Sequence, residues 1–146
     1  MDVSKSITYH VTKTGNLLRR LTAKKIRDAG IDVTPEESAV LNQLWDRDNQ
    51  SVSELALWAV KEPSTLSRQI DGLARKGYVT RQRSDADRRS LHVKLTAKGK
   101  SLEDKFEATG IRQLDHDLLH GLPGTPKATL QILINLHEAA RRELGE

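Results

Sequence analysis

The stretch from Ser51 to Leu95 constrains the fold most strongly, because two short helical segments are followed there by two strand-forming segments. Ser51 and Glu54 form an S-x-x-E capping box that starts a helix in SELALWAV. A residue that precedes proline disfavours helical backbone, so we expect a break at Lys61–Glu62 and a new helix from Pro63. Two helices joined by a turn of about three or four residues predict a helix-turn-helix.

The residues after the second helix predict a β-hairpin. Gly77 ends that helix, and YVTRQR has strand character. In LHVKL, the apolar residues Leu91, Val93 and Leu95 alternate with polar ones, and SDADRRS forms a charged turn between the two strands. The fold class is therefore expected to be mainly α with a small β-hairpin wing, which is a winged helix-turn-helix.

Two helices are expected before this region. The first runs from Ser4 to Ala29 and carries an apolar stripe. TPEE starts the second, with Thr34 as the cap and Glu37 completing a capping box. This second helix is expected to end near Asp46 to Asn49.

Long helical segments also follow the hairpin. Thr96 caps a helix that we expect to continue, with a bend at Gly110, and Thr125–Pro126 starts the last one. The terminal stripes are longer than a small winged helix needs. Pairing with a second copy is favoured, and a bundle within one chain is the alternative. Within one compact domain, we expect an N-terminal dimerisation helix at 1–32, the winged helix-turn-helix region at 33–96 and C-terminal dimerisation helices at 97–146.

The charge distribution indicates a polyanionic partner. Residues 61–100 contain eleven Lys and Arg against four Asp and Glu, a net charge of +7, while the rest of the 146-residue chain carries −3. A basic centre with acidic flanks favours nucleic acid, although the same residues would also keep a surface solvated. The sequence contains no cysteine, which excludes disulfides and thiol sensing, and no run of about 20 apolar residues that would cross a bilayer. We expect a cytoplasmic protein without a membrane partner.

Residues 63–76 are expected to be the recognition helix. Leu66, Ile70 and Leu73 share one face, which must be core. The N-terminal half of the opposite face is the part that such a helix presents to the DNA major groove. Arginine, serine and threonine can all hydrogen-bond base edges there. The candidate contacts are Ser64, Thr65, Ser67 and Arg68.

Residues 84–90 are expected to form the tip of the wing, which is narrow enough to enter a minor groove. Arg88 and Arg89 lie at this tip, and Asp87 can pair with one of them and fix its direction. The remaining candidates are suited to phosphate contacts, through guanidinium groups lower on the hairpin or through hydroxyl and backbone N–H groups at a helix start. They are Arg81, Arg83, Ser51 and Ser53.

From about Val33 to Leu102 the sequence resembles the MarR family of transcription regulators, most specifically in STLSRQIDGLARKGYV, SDADRR and LTAKGK. The resemblance implies a homodimer, joined through its terminal helices, that binds a pseudo-palindromic operator. The D-x-R pattern of the family's wing falls on Asp87 and Arg89, which makes Arg89 the first choice for the minor groove. It also implies repression relieved by a small, often phenolic anion.

A ligand site does not carry over from the resemblance, so its candidates rest on the residues alone. Tyr9, His10 and Lys13 lie on the first helix and could receive an anion. Trp45 and Trp58 could line a pocket, but packing in the core is the favoured interpretation of both.

No cofactor or metal is expected. His116 and His120 are four residues apart and could bind a metal, but surface or interface histidines are far commoner. Phosphate-binding and hydrolase motifs are absent from the sequence, so an enzyme is disfavoured. The stronger alternative is a winged-helix adaptor that binds proteins and lacks specific DNA binding. The basic wing and the polar outer face of the second helix favour a DNA-binding regulator instead.

Overall fold

The computed structural model describes residues 2–59, 62–84, 86–87 and 89–146. It has two compact units, Met1–Ile111 and Arg112–Glu146. Short 3-10 turns lie at Val3–Lys5 and Ile111–Gln113. The helices and strands, in chain order, are α1 (Ile7–Asp28), α2 (Pro35–Asp46), β1 (Gln50–Ser51), α3 (Val52–Ala56), α4 (Pro63–Arg75), β2 (Val79–Arg83), β3 (Leu91–Leu95), α5 (Ala97–Glu107), α6 (Leu114–Leu119) and α7 (Pro126–Leu144).

The apolar core belongs to the first unit and confirms the predicted inner face of the second helix of the pair. Leu66, Ile70 and Leu73 of α4 are 0–1% exposed. They pack with apolar residues from α1, α2, α3, β3 and α5, because each of these elements has one apolar side that only a neighbour can cover. The main partners are Ile26, Leu41, Leu44, Leu55, Val93 and Phe106.

The wing is a three-stranded antiparallel sheet in the order β1-β3-β2, so the predicted hairpin is confirmed and gains a strand. Strand β1 was not predicted, since two residues are too short to give an alternating pattern. Asp48 stabilises it by accepting hydrogen bonds from the backbone N–H groups of Asn49 and Leu95, both at 2.8 Å. The buried side chain of Gln50 donates to the carbonyl groups of Gln43 and Arg47.

Helix α3 ends earlier than predicted, and this overturns one core assignment. The helix stops at Ala56 instead of continuing towards Val60. Leu57 and Trp58 therefore lie in a turn and are 79% and 74% exposed, so the prediction that Trp58 packs in the core was wrong. Val60 lies outside the described residues, as does Lys61, the first residue of the break expected at Lys61–Glu62.

Close packing explains the glycine of the LTAKGK motif. Gly99 lies in the first turn of α5, and a Cβ atom there would overlap the carbonyl oxygen of Tyr78. The absence of a side chain lets α5 approach the start of β2. The indole N–H of Trp45 donates to the carbonyl of Gly99 at 2.9 Å, and its ring packs against Phe106, so Trp45 belongs to the edge of the core as predicted.

The C-terminal segment breaks where a bend was expected. Helix α5 ends at Glu107, and Gly110 adopts a φ of 73°, which stops the helix before α6 begins. In the second unit all residues of α6 and α7 are described, and none of them is buried. Across the part of the chain that the structure describes, no helix is both long and apolar enough to span a bilayer.

Candidate nucleic-acid interface

The first two turns of α4 present the predicted base-reading side chains. Ser64, Ser67 and Arg68 are exposed, and Thr65 is half-buried. Glu62, the N-cap residue, makes no side-chain hydrogen bond to the helix, and Pro63 occupies the first turn. The backbone N–H groups of Thr65 and Leu66 donate to the Glu62 carbonyl. The start of α4 therefore places hydroxyl groups and a guanidinium at the positive end of the helix dipole, a combination suited to an anionic ligand.

The far end of α4 is fixed to α2 by a largely buried ion pair. Lys76 Nζ donates to both carboxylate oxygens of Glu37, at 3.1 and 2.8 Å. A Cβ atom at Gly72 would lie 3.4 Å from Glu37 Oε1, so α4 packs closely against this carboxylate at the glycine. The hydroxyl of Thr34 caps α2 as predicted, but the side chain of Glu37 binds Lys76 instead of completing the capping box.

A second set of contacts holds the base of the wing. The phenol of Tyr78 donates to Asp32, and Lys98 Nζ lies 4.6 Å from the Tyr78 ring centroid while donating to the Lys76 carbonyl. Burial, helped by the neighbouring Asp32, raises the pKa of Tyr78 to about 12. The Tyr78 hydrogen bond lowers the pKa of Asp32. These contacts join the α1–α2 loop and the first turn of α5 to the residues just before β2.

Backbone hydrogen bonds shape the tip of the wing. Ser84 and Ser90 are joined by a 2.9 Å bond from the Ser84 N–H to the Ser90 carbonyl. Asp87 Oδ1 accepts from the backbone N–H of Arg89 at 2.9 Å, and both side chains are exposed. The carboxylate thus sets the backbone at Arg89. Arg88, the other arginine predicted at the tip, lies outside the described residues.

The predicted phosphate contacts are found in different surroundings. Arg83, at the end of β2, is exposed, whereas Arg81 forms an ion pair with Asp71 of α4. Ser53 is exposed on the first turn of α3. Ser51 forms the predicted capping box, since its hydroxyl accepts from Glu54 N at 3.0 Å and its own N–H donates to the Glu54 carboxylate.

Three of the predicted ligand-binding residues lie together near the start of α1. The rings of Tyr9 and His10 meet edge to face, with centroids 5.5 Å apart, and Lys13 Nζ lies 5.8 Å from the Tyr9 centroid. His10 also contacts the Ser4 carbonyl through Nε2 at 2.9 Å. Trp45 and Trp58 lie on other elements, as described above.

An open cleft of about 260 Å³ lies between the start of α2 and the first half of α4. It shares Thr65 and Arg68 with the predicted base-reading set. Glu36, which also lines it, accepts from Arg19 of α1 at 2.5 and 2.9 Å. The full lining is Thr34, Glu36, Glu37, Thr65, Arg68 and Gln69.

The histidine pair on α6 lies on the surface. The rings of His116 and His120 stack with centroids 5.1 Å apart, and His116 Nδ1 is 3.4 Å from Asp117 Oδ1. Among the described residues, no group of three or more His, Cys, Asp or Glu is arranged to hold a metal ion.

Sequence reasoning missed the contacts that hold the interface together. Glu37–Lys76, Asp32–Tyr78 and Asp71–Arg81 join residues that are 39, 46 and 10 positions apart. Such separations follow no helical or strand period, so no local pattern indicates them. The only sequence signal was Asp71 itself, an acidic residue on the otherwise basic outer face of α4.

Known transcription regulators resemble this chain in sequence and in fold. Residues 33–91 match the sequence model of the MarR family. A MarR-family transcriptional regulator from Silicibacter pomeroyi shares 25% identity over 96% of this chain and 91% of its own, with a TM-score of 0.68.

Two solved structures with lower identity share the fold. BpsR from Bordetella bronchiseptica, whose DNA binding is regulated by 6-hydroxynicotinic acid, gives a TM-score of 0.74 at 20% identity, covering 94% of each chain. A mutant MarR from E. coli complexed with operator DNA gives 0.73 at 23% identity, covering 88% of this chain and 91% of that one. The matched segment, residues 33–91, contains α4 and β2 and reaches the first residue of β3, so this part of the chain is similar to the MarR family.

Proposed function

We propose that this protein is a homodimeric, sequence-specific DNA-binding transcription regulator, and that it represses its target until a small molecule releases it from DNA. One observation carries the proposal. The first unit exposes the polar residues of α4 and, on the wing, an arginine whose backbone N–H is bound by Asp87. In this proposal the protein acts in the cytoplasm, at the nucleoid, and catalyses no reaction.

The contacts divide into two kinds. Ser64, Thr65, Ser67 and Arg68 read base edges in the major groove, and Arg89, with Arg88, enters the minor groove. Ser51, Ser53 and Arg83 hold phosphates and set the register of the protein on the duplex. The basic segment 61–100 supplies the attraction for the phosphate backbone.

The terminal helices support the dimer. On α1, Ile7 and Leu18 are 69% and 41% exposed, and on α7, Leu130 and Ile134 are 59% and 46% exposed. Contiguous apolar stripes of this kind mark interaction surfaces. A second copy is the occupant we propose, because two symmetric recognition helices match a pseudo-palindromic operator. The segments 1–32 and 97–146 are the proposed dimerisation regions.

Two places are candidates for the effector. The cleft between α2 and α4 is favoured because an aromatic acid paired with Arg68 there would block a residue that we assign to base reading. The cluster of Tyr9, His10 and Lys13 is the second candidate. BpsR, which responds to a small aromatic acid, has the same fold.

A binding titration tests the DNA assignment. The wild-type protein is titrated against DNA from its own upstream region and against scrambled DNA at several salt concentrations. Arg89→Ala should weaken specific binding by about 1–3 kcal/mol, because a groove contact is lost. Arg20→Ala, an exposed arginine on α1, serves as the control and should leave specific binding unchanged. Aromatic acids, including 6-hydroxynicotinic acid, are then added to the preformed complex to test release.

Several outcomes would contradict the assignment. Unchanged operator affinity for Arg89→Ala would remove Arg89 from the interface. Equally weak binding of every DNA tested, including genomic fragments selected for binding, would favour the adaptor alternative.

A further inference from the structure

We propose that Asp71 is a specificity-determining residue that acts by positioning Arg81. It holds the Arg81 guanidinium against the recognition helix and withholds it from the phosphates of non-target DNA. The inference rests on the proposed DNA-binding function, and it changes the predicted role of Arg81 from a constant phosphate contact to a controlled one.

The position of Asp71 supports this role. On α4 it lies three residues after Arg68 and four after Ser67, so all three share the outer face of the helix. Its carboxylate forms an ion pair with Arg81 of β2, and the side chains are 45% and 42% exposed. The pair therefore connects the proposed base-reading face with the wing, and both partners remain accessible to DNA.

Stability does not account for the pair, because a half-exposed ion pair contributes little to folding. Its larger effect is on charge. An arginine that contacts a phosphate releases a counterion and strengthens binding to any sequence. Paired with Asp71, Arg81 presents no net charge to the backbone, so this sequence-independent contribution is suppressed.

The pair also has a geometric consequence. The recognition helix and the wing must reach adjacent grooves at the same time, and a contact between them in the free protein sets their relative position before DNA binds. Removing the carboxylate should therefore strengthen binding to scrambled DNA and weaken binding to the operator. Scrambled DNA gains a phosphate contact, while the operator complex loses part of its preset geometry.

The test compares Asp71→Asn with a matched control. Asp28→Asn removes a carboxylate that is also exposed and also paired with a cation, Lys24 on α1, so it makes the same change in net charge away from the interface. Asp71→Asn should tighten binding to scrambled DNA about three- to tenfold and steepen its log–log salt dependence by about 0.9. The ratio of operator to scrambled affinity should fall at least threefold. Asp28→Asn should change neither quantity, and because Asp28 lies in the proposed dimerisation segment, sedimentation must show that this variant associates as the wild type does.

A double variant assigns the effect to Arg81. In Asp71→Asn/Arg81→Gln, the salt slope on scrambled DNA should return to the wild-type value, because the released cation is absent. An unchanged slope in Asp71→Asn would overturn the proposal, as would equal weakening on both DNAs, which would indicate a structural role alone. If wild-type protein shows no preference for any operator, the proposed function fails, yet the slope on scrambled DNA still decides whether Asp71 withholds Arg81.

Discussion

The helices α4 and α7 both begin with proline and both carry an apolar stripe, but only one of the stripes is covered. In α4, Ile70 and Leu73 are at most 1% exposed, whereas Leu130 and Leu133 of α7 are 59% and 44% exposed. The two sequences look alike in their periodicity. The difference teaches that an amphipathic pattern shows that a face needs a partner, without showing which chain supplies it.

The covered face of α4 has a function beyond stability. Since Leu66, Ile70 and Leu73 fix the rotation of the helix, Ser64, Ser67 and Arg68 are held outward. The uncovered face of α7 would be fixed only by association. In the proposed function, DNA reading and subunit pairing would therefore use the same kind of helix with opposite exposures.

The largest expected effect is on the free energy of unfolding, and it comes from replacing one leucine by alanine, first on α4 and separately on α7. Leu73→Ala should lower the free energy of unfolding by about 2 to 5 kcal/mol at every protein concentration, because it leaves a cavity in the core. Leu133→Ala should leave unfolding of the dilute protein nearly unchanged and should weaken self-association. Denaturant titrations at two protein concentrations, with sedimentation, measure both. A Leu133→Ala protein that sediments as the wild type does would remove Leu133 from the proposed dimer interface.

Alanine substitutions at two glycines compare a closely packed position with an open one. Gly99→Ala should destabilise the protein by about 1–3 kcal/mol, because the new methyl group meets the Tyr78 carbonyl. Gly15→Ala, in α1, places its methyl group where no neighbouring atom lies within 4 Å, and it should stabilise the protein by about 0.5–1 kcal/mol. Thermal unfolding measures whether each of the two substitutions lowers or raises stability. Equal tolerance at the two positions would show that α5 can move away from β2.

The smallest expected change in stability comes from removing the hydrogen bond between Tyr78 and Asp32 at the base of the wing. Tyr78→Phe removes the hydrogen bond to Asp32 and should cost about 1 kcal/mol near neutral pH. Tyr9→Phe, at an exposed position, is the control and should stay within about 0.5 kcal/mol of wild type. Denaturant unfolding measured across the pH range is the test.

The pH dependence of that difference follows from the two pKa shifts. The lowered pKa of Asp32 contributes stability above its unfolded pKa of about 3.9, and this is lost as pH falls through the folded value. The raised pKa of Tyr78 contributes below its unfolded pKa of about 10 and is lost as pH rises towards 12. The gap between wild type and Tyr78→Phe should therefore be widest between these limits. A gap that does not change with pH would contradict the coupling of the two groups.

Much of the fold could be predicted because its signals are local. The proline at the start of α4, the capping residues Thr34 and Ser51, and the alternation in LHVKL each act within a few residues. The exposed face of α4 followed from the same periodicity. Prediction failed where local preference was weak. Strand β1 is only two residues long, and α3 stops before the apolar residues Leu57 and Trp58.

By itself, the sequence determined most of the elements, the inner face of α4 and the basic character of the segment that contains the wing, since helical period, turn chemistry and charge are properties of neighbouring residues. Only the tertiary structure decided which charges are neutralised. Glu37 meets Lys76, and Asp71 meets Arg81, because packing brings distant residues within a few ångströms. Electrostatic interactions depend on distance in space and on exposure to water, and neither can be read from separation along the chain.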